Sequence, residues 1–142
     1  MRVTYGTGAQ DDPWRLKTPP HSSDFLAWRV GAADPPALVV QVGTTVLSHR
    51  LRAIEDAHAM LVARGDWVPL GNADEGKPVK RGTFEPWARA ADTPAGGSYG
   101  LRKGHRGGFA NYVAPVLKLL GLAQLGHNPR NNRLRAREGP AR

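Results

Sequence analysis

The chain has no cysteine among its 142 residues. This absence excludes disulfide bonds, thiol catalysis and zinc sites built on cysteine. No apolar run approaches the ~20 residues of a membrane span, because Lys118 and several glycines interrupt the best candidate. The N-terminal stretch MRVTYGTGAQDDP contains no apolar core of the kind that a secretory signal needs. These absences predict a cytoplasmic protein that is not embedded in a membrane.

Acidic residues are scarce in the second half of the chain. Residues 77–142 contain thirteen lysines and arginines but three acidic residues, a net charge of +10, whereas residues 1–76 have a net charge of −2. A bias that is confined to one half indicates a basic face, and such a face attracts polyanions. The alternative is a solvated surface with no specific partner.

The apolar content of 40% is sufficient for a core, and 17 glycines with 12 prolines indicate long connections. Residues 1–24, rich in turn-forming residues, are predicted to form an N-terminal arm, and residues 25–142 a single α+β domain. Alternating or β-branched segments at 24–30, 37–42 and 45–51 predict a small N-terminal antiparallel sheet of about three strands. In an alternative interpretation, a helix begins as early as Val46.

Two segments have helical periodicity. Residues 53–64 predict a central helix that ends at Gly65, with Ile54 and Leu61 on its apolar stripe. Residues 109–120 predict a second helix, in which Pro115 indicates either a kink or a break, with the main helix starting near Ala114. We expect Leu117 and Leu120 to be buried against the central helix.

The stretch after this helix predicts a basic hairpin. Leu122–Leu125 can pair with Arg133–Arg137, while Pro129, Asn131 and Asn132 provide turn conformations. Arg130 and Arg133 should then project from the tip, where an arginine can reach a phosphate or the minor groove.

The segment LLGLAQLGHNPRNNRLRAR resembles the end of winged helix-turn-helix regulators of the antibiotic-resistance-regulator type. The matching positions are Gly121, Leu122, Pro129 and Arg133, and the resemblance covers about 20 residues. It implies a winged-helix-like part at about residues 77–142. Asn128 and Asn131 depart from the pattern, since that family has aspartates there, and the glycine-rich stretch before Phe109 lacks a clear first helix. As a whole, the chain is similar to small bacterial proteins of unknown function.

A second basic cluster, RKGHRGG, occupies residues 102–108. It lacks the GxxxxGK[ST] pattern and so is not a P-loop. It can be interpreted as a phosphate-contacting loop before a helix N-terminus, or as a flexible surface loop.

No motif indicates catalysis, a metal or a cofactor. The five histidines include no HExxH pattern, and the adjacent carboxylates Asp74 and Glu75 fit a solvated turn. His105 and His127 lie in the basic half and can be interpreted as an acid–base pair, but few carboxylates are available there to orient them.

The sequence therefore predicts an α+β protein: a small N-terminal antiparallel sheet, a central helix, and a C-terminal helix followed by a basic β-hairpin. Its predicted function is non-enzymatic binding of nucleic acid, DNA ahead of RNA. The alternatives are a module that docks an acidic protein partner and, third, a small metal-independent nuclease. The predicted contacts with nucleic acid are Arg102, Lys103, His105, Arg106, Arg130, Asn131, Asn132, Arg133, Arg135 and Arg137.

Overall fold

A computed structural model describes residues 6–72, 77–78, 81–102, 104–105 and 107–137. Within these ranges the chain forms two antiparallel sheets and three helices. The α+β class predicted from the sequence is confirmed.

The first sheet has four strands in the order β1-β2-β3-β4. The strands are β1 (Trp14–Lys17), β2 (Asp24–Val30), β3 (Ala37–Val42) and β4 (Thr45–Arg50). The sequence predicted about three strands, and the additional one, β1, lies in the segment assigned to the arm. It joins the sheet because Trp14, which is 4% exposed, packs into the core opposite Ala27 of β2.

The central helix α1 (Ala53–Arg64) has the predicted bounds. Ala53, Ala57 and Leu61 form its buried face, as the helical period requires. Gly65 ends the helix with φ 70°, and its N–H donates to the carbonyl of Leu61 at 3.0 Å. The alternative start near Val46 is wrong, because residues 45–50 pair with β3 as a strand.

The short helix α2 (Phe84–Arg89) is followed by α3 (Phe109–Leu119). Helix α3 continues through Pro115, so the predicted break near Ala114 is wrong. A proline removes a single helical hydrogen bond, and here burial of Val113, Ala114 and Val116 on both sides stabilises the helix.

The two leucines that were predicted to be buried at the end of α3 differ in their exposure to solvent. Leu117 is fully buried, as expected, whereas Leu120 is 37% exposed and does not belong to the core. Leu120 is the C-cap of α3, and its N–H still donates to the carbonyl of Val116 at 3.0 Å, so the backbone is helical there while the side chain lies at the edge of the packed surface.

The second sheet has three strands in the order β5-β7-β6. They are β5 (Val68–Pro69), β6 (Ala123–Leu125) and β7 (Arg133–Ala136). The predicted hairpin forms, with Ala123 opposite Ala136 and Leu125 opposite Leu134. It is not a free wing, because Val68 of β5 pairs with the other side of Leu134 and makes β7 a central strand.

Both sheets share one hydrophobic core. A single cluster of buried residues joins Leu38 and Val40 of the first sheet to Leu117 of α3 and Leu134 of the second sheet. Among the described residues, none of the helices has the length and apolar content that a membrane-spanning segment needs.

Candidate nucleic-acid interface

Strand β7 separates apolar from basic side chains by simple alternation. Leu134 and Ala136 point towards the core, while Arg133 and Arg135, with Arg137 just after the strand, are exposed. Successive side chains of a strand point to opposite faces, so the three arginines lie on the outer face of the sheet. We call this surface, together with Gln124 and Trp67, the arginine face.

Trp67 lies beneath two of these arginines. The guanidinium carbons of Arg133 and Arg135 are 4.9 and 4.6 Å from the centre of a Trp67 ring. The Nε of Arg135 also donates to Oε1 of Gln124 at 2.6 Å. Such cation–π contacts orient the planar guanidinium groups. Arg133 was predicted to project from the hairpin tip; it is the first residue of β7 and is exposed, as expected, and its guanidinium lies over Trp67.

The charges on the arginine face are not neutralised by carboxylates within the described residues. The ion pairs in that part of the chain join Lys17 to Asp24, Arg52 to Asp56, and Arg89 to Glu85. None involves Arg130, Arg133, Arg135 or Arg137. The positive charge of the arginine face is therefore not compensated by a carboxylate within these residues.

The loop between β6 and β7 contains three of the predicted contacts, and they differ in accessibility. Arg130 and Asn131 are exposed, and Asn131 has a left-handed backbone with φ 61°. Asn132 is only 5% exposed. Its Oδ1 accepts from the N–H of Asn128 at 2.6 Å, and its Nδ2 donates to the carbonyl of Asn128 at 2.8 Å. Asn132 therefore fixes the loop and is not available to a ligand.

The structure describes five of the seven residues of the second basic cluster, residues 102–108. Arg102 is exposed, whereas His105 is 8% exposed and accepts from the backbone N–H of Ser48 on β4 at 3.0 Å through Nδ1. The Nε of Arg102 lies 3.2 Å from Nε2 of the same ring. His105 thus anchors the loop to the first sheet. Lys103 and Arg106 lie outside the described residues.

The N-terminus of α3 does not offer its amides to a phosphate. The N–H groups of Phe109 and Ala110 donate to the carboxylate of Glu85, at 3.3 and 2.9 Å. Arg89 donates to the same carboxylate through Nε and an NH2 group, at 3.1 and 2.9 Å. The interpretation of this helix end as a phosphate site is therefore wrong, because an internal anion already occupies it.

Glu85 is fully buried, and sequence reasoning missed it. Burial raises the pKa of its carboxyl group, while the bond from Ala110 and the charge of Arg89 act in the opposite direction. A carboxylate four residues before an arginine, in a region with few acids, was the sequence pattern that could have indicated a structural ion pair.

His49 was also missed. It lies on β4 with no exposed surface, and neither ring nitrogen has a hydrogen-bond partner within the described residues. Its ring meets that of Phe109 edge to face, with 5.8 Å between centroids. Burial, followed by the nearby His105, lowers the pKa of His49 to about 4, so the ring is neutral at pH 7.

The two histidines considered as an acid–base pair have different partners. His105 bonds to Ser48, whereas His127 contacts Lys118 and the carbonyl of Pro19. In the described part of the chain, no three metal-ligating side chains come together.

Comparison with known proteins identifies one relationship. The model of DUF6855, a family of unknown function, matches residues 6–137. No curated protein and no solved structure matches the chain.

Proposed function

The chain belongs to DUF6855, and because that family has no known function, we propose from geometry and charge that the protein binds nucleic acid without catalysis, duplex DNA ahead of RNA. The observation that supports this proposal is the arginine face. Three arginines lie on one side of β7, without a carboxylate partner among the described residues. We also expect a cytoplasmic location, as predicted from the sequence.

The spacing of these arginines suits a phosphate backbone. Alternate residues of a strand are about 6.8 Å apart, and an arginine fork can donate two parallel hydrogen bonds to one phosphate. Arg133 and Arg135 are held over Trp67, so their guanidinium groups are oriented before a ligand arrives. Exposed Arg130 and Arg102 provide further positive charge.

The proposed mode differs from that of a winged helix. A recognition helix presents polar side chains to the major groove, but most residues of α3 are buried and Lys118 is its one exposed charge. Trp67 is covered by two arginines and is a poor platform for stacking a base. We therefore expect contacts with the phosphate backbone and little discrimination between sequences.

The salt dependence of binding tests the proposal. Fluorescence anisotropy with a labelled duplex should give a slope of log K against log salt of roughly −4 to −5, for four to six phosphate contacts. The triple variant Arg133→Gln, Arg135→Gln, Arg137→Gln should flatten that slope by about 3 units. Single strands and RNA of the same sequence, measured in parallel, establish the preference for duplex DNA.

Arg29→Gln provides a matched control, because Arg29 also lies over a tryptophan, Trp14, but on the first sheet. This variant should leave the slope within about one unit of the original. A slope near zero for the wild type, or an unchanged slope in the folded triple variant, would reject binding through the arginine face. Equal affinity for polyaspartate and for DNA would instead favour an acidic protein partner.

A further inference from the structure

A cleft of about 860 Å³ lies between the first sheet and the C-terminal half of α3. Its walls come from β1, β2, the end of β3, α3 and the loop after β6. We call it the β1–α3 cleft. It shares no residue with the arginine face, and its volume is within the range of pockets that hold small molecules, about 300–1,000 Å³.

One wall of the β1–α3 cleft is apolar. It is formed by Leu16, Phe25, Leu26, Pro115 and Leu119. Phe25 and Pro115 are buried, whereas Leu16, Leu26 and Leu119 are only half-buried. A ligand with an apolar body would cover this surface and gain roughly 25 cal/mol for each Å² removed from water.

The opposite rim contains Lys118 and His127, and hydrogen bonds fix the His127 ring. The carbonyl of Pro19 is 2.9 Å from Nδ1 of His127, and since a carbonyl can only accept, Nδ1 is the protonated nitrogen. In the neutral ring Nε2 is then the acceptor, and the ammonium of Lys118 donates to it. One proton of Lys118 is used in this way, which leaves two for a ligand.

His21 completes the rim from the turn between β1 and β2. Its ring lies against that of His127, with 4.1 Å between centroids. The backbone of His21 is left-handed, with φ 62°, a conformation that is unfavourable for a residue other than glycine. The bond from its N–H to the carbonyl of Thr18, at 2.7 Å, holds that turn. The fold thus keeps an unfavourable backbone that places the imidazole of His21 against that of His127 on the same rim.

The rim has more positive than negative groups. Asp24 is the carboxylate in its lining, and it pairs with Lys17 at 2.6 Å. Lys118 forms no ion pair with a carboxylate within the described residues. Desolvation, followed by the charges of His127, Lys118 and Lys17, lowers the pKa of His21. A bound anion would relieve this repulsion.

We propose that the β1–α3 cleft binds a small organic carboxylate with an apolar body. Lys118 and His21 hold the carboxylate, and the leucines and Phe25 cover the body. A bare inorganic anion would leave the apolar wall in water, and a neutral ligand would leave Lys118 without a counter-charge. A metal ion is not favoured, because the described residues bring no third ligand to the two imidazoles.

Isothermal titration calorimetry with 2-naphthoate and 2-naphthamide tests the proposal, because the two probes share one apolar body and differ in charge. The carboxylate should bind at least tenfold more tightly than the amide, and inorganic phosphate more weakly than the carboxylate. Amide resonances of Lys17, Lys118 and His127 should shift when 2-naphthoate is added to the ¹⁵N-labelled protein. Equal affinity for the two naphthalene probes, tighter binding of phosphate, or shifts confined to other regions would overturn the proposal.

Lys118→Met keeps the aliphatic stem but removes the charge, and should weaken 2-naphthoate binding at least tenfold while leaving 2-naphthamide unchanged. Lys77→Met is the matched control, since Lys77 is exposed and does not line the cleft. Duplex DNA affinity of Lys118→Met should remain within about twofold of the wild type. Retained affinity for 2-naphthoate in folded Lys118→Met would reject the assignment. Since the arginine face plays no part in this assay, its outcome is independent of whether the protein binds DNA.

Discussion

Each sheet of this protein places arginine over tryptophan, but the two arrangements use the charge differently. On the first sheet Arg29 lies 4.8 Å from the ring of Trp14 and donates to the backbone carbonyl of Thr7 at 2.8 Å. On the second sheet Arg133 and Arg135 cover the half-buried Trp67. The first arginine connects two parts of its own chain, whereas the second pair leaves donors facing solvent. The same contact can therefore connect two segments of the chain or orient a charge that faces solvent.

The acidic residues of the two halves of the chain also differ in how they are used. In the first half of the chain, Asp24 and Asp56 form ion pairs in which each basic partner is more than half exposed. In the basic half Glu85 is fully buried and receives bonds from Arg89 and from α3. Glu85 is thus used inside the protein and does not neutralise the arginine face.

The largest expected effect follows from removal of the buried acid. Glu85→Ala should destabilise the protein by roughly 3–5 kcal/mol, because Arg89 loses its buried partner and two helix amides lose their acceptor. Asp24→Ala, which breaks an exposed pair, should cost at most about 1 kcal/mol. Urea denaturation of both variants measures the difference. A similar loss of unfolding free energy in both variants would show that burial does not determine how much an ion pair contributes to stability.

The next largest loss of stability is expected from truncating a side chain in the core that joins the two sheets. Leu117→Ala should cost roughly 2–5 kcal/mol, since its side chain is fully buried. Leu120→Ala on the next turn should change stability by about 0.5 kcal/mol or less. Thermal denaturation of Leu117→Ala should retain one transition, because both sheets share the core cluster. Two separate transitions would show that the sheets are independent units.

Acidification should expose the contribution of His49. The pKa of this imidazole is about 4 in the folded protein and 6.5 in the unfolded chain. Between these values the unfolded chain binds a proton that the folded protein does not, so stability falls as the pH is lowered from 6.5 towards 4. The loss should total about 3 kcal/mol.

His49→Leu should remove that part of the pH dependence and leave stability at pH 7 unchanged or higher, because an imidazole without a hydrogen-bond partner is replaced by an apolar side chain. The comparison between variant and wild type is needed because Glu85 acts in the opposite direction. Its pKa is raised in the folded protein, so protonation of Glu85 increases the stability of the protein as the pH falls. Identical pH profiles for the two proteins would mean that the environment of His49 does not depress its pKa.

The smallest expected changes in stability are those of substitutions at Arg29 and Arg133, the arginines that lie over tryptophans on the two sheets. Arg29→Gln should cost about 1 kcal/mol, through loss of its hydrogen bond and its contact with Trp14. Arg133→Gln should change stability by about 0.5 kcal/mol, since its guanidinium lies at the surface. Chemical denaturation of both variants at two salt concentrations provides the measurement. A larger cost for Arg133→Gln would show that the arginine face stabilises the fold.

Local pattern was sufficient to predict several elements. The bounds of α1 follow from its 3.6-residue period and from Gly65, and the hairpin of β6 and β7 follows from alternation on either side of a turn. Leu120 was assigned wrongly because the apolar period continues past the end of the helix, and periodicity does not indicate where packing ends.

The remaining features depend on contacts between distant residues. Glu85 reaches amides 24 and 25 residues away, and β5 pairs with a strand that follows it by more than sixty residues. The contact between the His21 and His127 rings joins the turn after β1 to the loop after β6, more than a hundred residues away. A single sequence contains no local pattern that joins such positions, so neither the filled helix end nor the β1–α3 cleft could be predicted. Whether the arginine face binds DNA stays a prediction.

The two bonds between Asn132 and Asn128 have a consequence for the entropy of the proposed binding to nucleic acid. They close the loop that holds Arg130, with Asn131 already in its left-handed conformation. A loop of this kind loses little conformational freedom when a partner binds, so the entropic penalty of association is small. Asn132→Ala would return that freedom to the loop, and affinity would fall through a less favourable entropy although residue 132 contacts no ligand.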